Sequence, residues 1–199
     1  MARVAAVAPR GDTRDRVLDE ALLAFGLHGF DATSLDQIAA ELGVRKQTIL
    51  YYFPSKNELL EALVDRTSAT IADELERAIK GAEPGFARIE LIVRTVFRVA
   101  VRQPELLGLL REVSRLGGPF ATRFVDNFEP LVERATSFLQ EEMDAGRFRA
   151  SDPRLLLVSV YSTVVGVATE VEVLRAVGFE PSLKSAVQRR RELLTFLHN

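Results

Sequence analysis

Residues 33–60 read TSLDQIAAELGVRKQTILYYFPSKNELL, and their spacing predicts two short helices joined by a tight turn. Thr33-x-x-Asp36 and Ser34-x-x-Gln37 are capping-box patterns in adjacent registers, so a helix starts here. Ile38, Ala39 and Leu42 give that helix an apolar side, and Gly43 breaks it. A further short helix is expected from about Arg45 to Tyr52, ended by Pro54. Ala39, Gly43 and Ile49 then have the spacing of a helix-turn-helix. The small residue lets two helices cross closely, the glycine permits the turn, and the branched residue packs the second helix on the first. Local charge points the same way. Between Glu41 and Glu58 there is no acidic residue, while Arg45, Lys46 and Lys56 are present. Gln47, Thr48, Tyr51 and Tyr52 lie among them, all side chains that reach phosphate oxygens or base edges.

Working outward, the helical period continues in both directions. On the N-terminal side, Val17, Ala21 and Phe25 share a face with Leu18 and Leu22 beside them. Asp12 or Thr13 is placed to cap this first helix, and Gly29 offers a left-handed stop after His28. Residues 1–11 read as a disordered tail. On the C-terminal side, Ser55-x-x-Glu58 opens a long fourth helix carrying Leu59, Leu60, Leu63, Val64, Ile71, Leu75 and Ile79. Ile89 to Ala100 forms another. Pro104 opens a helix through Val113 that Gly117, Gly118 and Pro119 stop. Phe120 to Ala145 follows, with Pro130 expected to kink or restart it. Asp152 and Pro153 begin a helix reaching about Val177, and Ser182 to Leu197 forms the last. No alternating strand pattern of useful length occurs. The fold class is therefore all-α, with about nine helices. A DNA-binding domain is expected over residues 12–56 and a helical regulatory domain over residues 57–199.

Composition narrows the function. The chain has 199 residues, 47% of them hydrophobic and 27% charged, with a formal net charge of -2. A surface coated by nucleic acid and a polybasic membrane binder are excluded; a local basic face is not. Cysteine is absent and there are two histidines, His28 and His198. Thiol catalysis and thiolate zinc sites are thereby excluded, and no Glu-x-x-His pair exists. The N-terminus lacks the apolar core of a secretory signal. Leu155 to Val171 is interrupted by Ser159, Ser162, Thr163, Gly166, Thr169 and Glu170, too polar for a membrane span. A cytoplasmic, non-enzymatic protein without cofactor or metal is expected.

Residues 33–60, above all Tyr52-Phe53-Pro54-Ser55-Lys56 followed by Leu59-Leu60, resemble the DNA-binding domain of the TetR family of transcriptional regulators. The likeness covers about residues 13–60; beyond it, only length, helix count and helical character agree. The resemblance implies a homodimer on double-stranded operator DNA, with the third helix of each subunit in the major groove. It implies base reading by Arg45, Lys46 and Gln47, and phosphate contacts from Thr48, Tyr52 and Lys56. Tyr51 suits either role, and Ser34 caps the second helix next to the DNA backbone. The packing of Tyr51 and Tyr52 against the first helix, and Lys56 as an ordinary first-turn residue, are the plainer alternatives. The chain departs from the family pattern at Leu50, where a tyrosine is common, and at Gln47, where a small residue or proline is common.

The regulatory half is rich in Phe and Leu, which suits either a plain core or an apolar effector cavity. Leu63, Thr67, Val93, Phe97, Leu110, Phe124, Phe128 and Tyr161 are the candidate cavity residues. For Arg94, Arg98, Glu112 and Arg115 the alternatives are a ligand charge and solvent. The helix around Leu155 to Leu174 is apolar on nearly every side, which predicts burial all round. In the family the last two long helices form the dimer interface. Leu156, Val160, Val164, Val167, Val171, Leu193, Leu194 and Leu197 are the candidates here, with Glu170 unexplained among them. The function expected is a ligand-responsive regulator, a repressor released by a small, largely hydrophobic effector. The competing reading is an all-α small-molecule or lipid carrier, which leaves the helix-turn-helix without a purpose.

Overall fold

The computed structural model describes residues 12–169, 171–178, 180 and 182–198. The expected tail, residues 1–11, and Glu170 lie outside the described residues. These form ten helical segments: α1 (Thr13–His28), α2 (Leu35–Leu42), α3 (Lys46–Tyr52), α4 (Lys56–Ile79), α5 (Phe86–Arg102), α6 (Pro104–Leu116), α7 (Gly118–Asp144), α8 (Pro153–Thr169), α9 (Val171–Ala176) and α10 (Leu183–His198). The described segments α8 and α9 lie on either side of Glu170, within the stretch for which a single helix is predicted. α7 runs through Pro130 as one helix, with neither restart nor break.

The caps decide several boundaries. Asp12 precedes α1 but makes no side-chain cap bond. Gly29 has φ 85° and ψ 160°, so its φ is positive but the chain leaves α1 extended rather than in a left-handed turn. Of the two capping registers, the structure uses the second. The Ser34 hydroxyl accepts from the Gln37 N–H at 3.2 Å, and the Ser34 N–H donates to Gln37 Oε1 at 2.7 Å. Thr33 is buried instead, and its hydroxyl donates to the Gly29 carbonyl at 2.8 Å.

Two apolar clusters organise the molecule. The first joins Val17, Leu18, Ala21 and Phe25 of α1 to Ile38, Ala39 and Ile49 of α2 and α3. Leu59, Leu60, Leu63 and Val64 of α4 close it, together with Leu109 and Val113 of α6. The helix α4 thus runs through the expected boundary at residues 56/57, its N-terminal half packed in the DNA-binding half and its remainder in the regulatory half. The second cluster centres on Val93 and Phe97 of α5, covered by Val164 of α8 and Leu193 of α10.

The halves are also tied by α1 and α6, which cross backbone to backbone at Gly26 and Gly108. A Cβ added at Gly26 would lie 2.6 Å from the Glu105 carbonyl oxygen, and one at Gly108 would overlap the Gly26 carbonyl. One turn beyond, Glu112 accepts the Phe30 N–H at 2.6 Å. Arg115 reaches the same carboxylate at 2.8 Å and Asp31 at 2.9 Å. The Arg115 hydrogen bonds hold the Glu112 carboxyl below its ordinary value, with the Phe30 N–H adding to them. Glu112 and Arg115 therefore clasp the DNA-binding half rather than meeting a ligand. A second tie joins α4 and α7, where Arg123 grips Asp65 with two bonds of 2.7 and 2.6 Å.

Burial within the protomer bears on several sequence expectations for the regulatory half. Val164 and Leu193, expected on the dimer interface, are buried inside the protomer against α5. Val160, Val167, Leu194 and Leu197 are half-buried and pack on the same cluster. Leu156 is half-buried, and the Val171 side chain lies outside the described residues. Nor is α8 buried all round: Leu155 is 68% and Val158 59% exposed. Tyr161, expected in a cavity, is also exposed, and the burial of the rest of its side chain pushes its phenol upward. An all-apolar helix carries no sequence signal for which side meets its own protomer.

Candidate nucleic-acid interface

The local geometry of α2 and α3 follows from the turn between them. Gly43 takes φ 67° and ψ 29°, the left-handed conformation that glycine adopts without penalty. Its N–H donates to the Ala40 carbonyl at 3.1 Å, and the Val44 N–H donates to the Ala39 carbonyl at 2.9 Å. This pair of bonds satisfies the last carbonyls of α2. Ala39 and Ile49 are both buried in the crossing, as their spacing predicts. Arg16 adds a tie from α1, donating to the Leu42 carbonyl at 3.3 Å.

With Ile49 inward, the opposite side of α3 faces solvent. Arg45 at its N-cap and Gln47 are exposed, and Tyr51 is 82% exposed. Thr48 and Tyr52 are half-buried at the edges of that face. Tyr51 and Tyr52 meet edge-to-face with centroids 5.1 Å apart, which braces Tyr51 without burying it. Ser34 is exposed at the start of α2, its oxygen engaged as a cap and its own hydrogen available to donate.

Two cations in this region have neighbours that the sequence does not announce. Lys46 Nζ lies 2.8 Å from Asp36 Oδ2, across the turn on α2. The pair is exposed on both sides, so it is worth at most about 1 kcal/mol. Lys56 Nζ sits 4.1 Å over the Phe30 ring. That cation–π contact gives a first-turn lysine a reason to be there despite the unfavourable helix dipole. Ser55 caps α4 beside it, accepting from the Glu58 N–H at 3.1 Å. Arg14 stacks over Phe53 at 5.2 Å and adds a positive charge beside the end of α3. Sequence reading misses Arg14, because nothing in the first helix pattern tells which of its exposed residues adjoins the third.

The match to known families lies on this element. Residues 17–63 match the family profile described as bacterial regulatory proteins, tetR family. Over these residues the chain carries a DNA-binding domain of the TetR type. Among its relatives, the HTH-type transcriptional regulator RutR of Escherichia coli (strain K12) is 26% identical over 151 residues, covering 74% of this chain and 69% of that one. The fold extends further than the sequence match. FadR of Bacillus subtilis, solved in complex with stearoyl-CoA, superposes with TM-score 0.78 at 18% identity, over 93% of this chain and 97% of that one. AibR, solved with isovaleryl coenzyme A and operator DNA, superposes with TM-score 0.78 at 16% identity, again over 93% and 97%. At such identity the likeness establishes a shared fold. The chain contains no cysteine. Among its described residues there is no group of histidine and acidic side chains able to hold a metal, and no helix long and apolar enough to cross a membrane.

Proposed function

We propose that the protein is a cytoplasmic, homodimeric repressor that binds double-stranded operator DNA through α3 and is released by a small, largely hydrophobic effector. The observation that carries this reading is the solvent face of α3. Arg45, Gln47 and Tyr51 stand clear of the core on a helix seven residues long, with no acidic residue from 42 to 57. Arg45 and Gln47 read base edges, the arginine suited to guanine and the glutamine to adenine. Lys46 exchanges Asp36 for the DNA and completes the set. Thr48, Tyr52, Lys56 and Ser34 position the helix on phosphates, and Tyr51 reaches either. Two such helices read successive major grooves only when held about 34–36 Å apart.

Release then requires an effector that prefers a conformation in which that spacing fails. α4 supports the mechanism, because its N-terminal end is built into the first core while its length packs on α5 and α7 of the regulatory half. FadR and AibR, whose solved complexes contain acyl-coenzyme A ligands, support an effector with an apolar chain. Val93, Phe97, Leu63, Leu110 and Thr67 are buried, and the Phe124 and Phe128 rings meet tilted with centroids 4.7 Å apart; this store of apolar side chains supports a site for such a chain. The test is selection of duplexes from a random library, followed by fluorescence-anisotropy titration over a salt series. A selected duplex should bind roughly a thousandfold or more tighter than bulk DNA. Failure to enrich any sequence would remove the reading.

A further inference from the structure

A cleft of about 330 Å³ opens between α5 and α10, lined by Arg94, Phe97, Arg98, Val101, Arg102, Ala186, Val187 and Arg190. Its charge is one-sided. Arg94, Arg98 and Arg102 recur every four residues along one face of α5, and like charges at that spacing oppose helix formation. Arg190 of α10 brings a fourth positive charge to the same cleft instead of an acid. Two of the four are partly offset: Arg94 pairs with Glu90 at 2.8 Å, and Arg98 reaches Glu74 at 3.6 Å. Arg102 and Arg190 have no hydrogen-bond or ion-pair partner among the described residues. The dipole at the end of α5 favours Arg102 there, but it does not explain the arginine facing it from another helix.

The floor of the cleft is apolar. Val101 and Val187 are exposed within it, while Phe97 also belongs to the second core cluster and so separates the cleft from the interior. Open guanidinium groups beside an apolar wall match an anion joined to a nonpolar group, and four of them in one cleft favour a multiply charged phosphate over a single carboxylate. Guanidinium forks grip phosphate oxygens with paired bonds, and the wall takes a nonpolar group joined to them. We propose that this cleft binds the phosphate end of an organic phosphate whose apolar part lies along Val101, Val187 and Phe97. This rests on the reading of the chain as an effector-controlled regulator, and adds, outside the interior apolar wall, a site that recognises an anionic head with a nonpolar group beside it.

Isothermal titration of the full chain with octanoyl-coenzyme A, ATP and octanoate tests it. Octanoyl-coenzyme A should bind best, ATP more weakly, and octanoate not measurably. Arg102→Ala with Arg190→Ala should weaken octanoyl-coenzyme A at least about tenfold, whereas Arg149→Ala, at an exposed arginine outside the cleft, should not. Replacing both by lysine should restore part of the affinity, which a folding defect would not allow. Equal binding by the double-alanine variant, or octanoate binding as tightly as its coenzyme A thioester, overturns the proposal. Duplex anisotropy on the same samples separates the two readings. Intact operator binding with no phosphate ligand removes the cleft alone; failure to bind duplex removes the DNA reading and leaves the titration to decide the cleft.

Discussion

Arg45 and Lys46 are neighbours in sequence but not equivalent in space. Arg45 is exposed at the head of α3, whereas Lys46 is tethered to Asp36 on α2. Truncating Arg45 should therefore cost about 1–3 kcal/mol on a selected duplex and relax specificity at one position. Asp36→Asn should do the opposite. With its tether gone, Lys46 reaches the DNA without first leaving a carboxylate, so affinity for the selected duplex should rise by up to about fivefold, or about 1 kcal/mol. An affinity no higher than that of the parent chain would show that Lys46 keeps Asp36 in the complex. At this scale the local features were legible: Ser34 as cap, Gly43 as turn and Ile49 as packing residue all follow from spacing within one or two turns. The Lys46–Asp36 pair and the Lys56–Phe30 contact were not, because each depends on how two helices sit across a turn.

At the scale of elements, the helices themselves were readable from apolar period and caps, but their crossings were not. Gly26 and Gly108 show why. Glycine inside a helix costs about 1 kcal/mol relative to alanine, so two of them hint at close packing without naming the partner. The structure supplies it: α1 and α6 touch through these two residues, with Glu112 and Arg115 clasping Phe30 and Asp31 next to the contact. Gly108→Ala sets a gain in helix propensity against a backbone overlap that no rotamer relieves. The overlap should win, lowering stability by about 1–3 kcal/mol in urea unfolding. The variant should also loosen the DNA-binding half on the regulatory half, since α6 lends Leu109 and Val113 to the first core. A midpoint equal to or above that of the parent chain would mean that the helices separate at little cost.

For the whole molecule the proposed homodimer needs a surface by which two chains meet, and burial within the protomer bears on which residues can form it. The side chains of α8 and α10 that read as interface from sequence are largely those facing α5. What remains outside is a set of exposed apolar side chains on these C-terminal helices: Leu155, Val158 and Tyr161 on α8, Val173 on α9, and Phe196, 70% exposed, on α10. Exposed apolar residues grouped on adjacent helices mark an interaction surface. Sequence period could not choose between the two sides, since both sides of α8 are apolar and only the position of α5 distinguishes them. Val158→Glu with Phe196→Glu should leave each protomer folded, because neither side chain enters a core, yet shift the chain toward monomer in sedimentation velocity. Operator affinity should fall with it, as two half-sites one turn apart need two recognition helices held together. Val164→Glu is the contrasting case: a carboxylate forced among Val93, Phe97 and Leu193 should unfold the regulatory half outright. A dimer that survives the outward pair at micromolar concentration would place the subunit contact elsewhere.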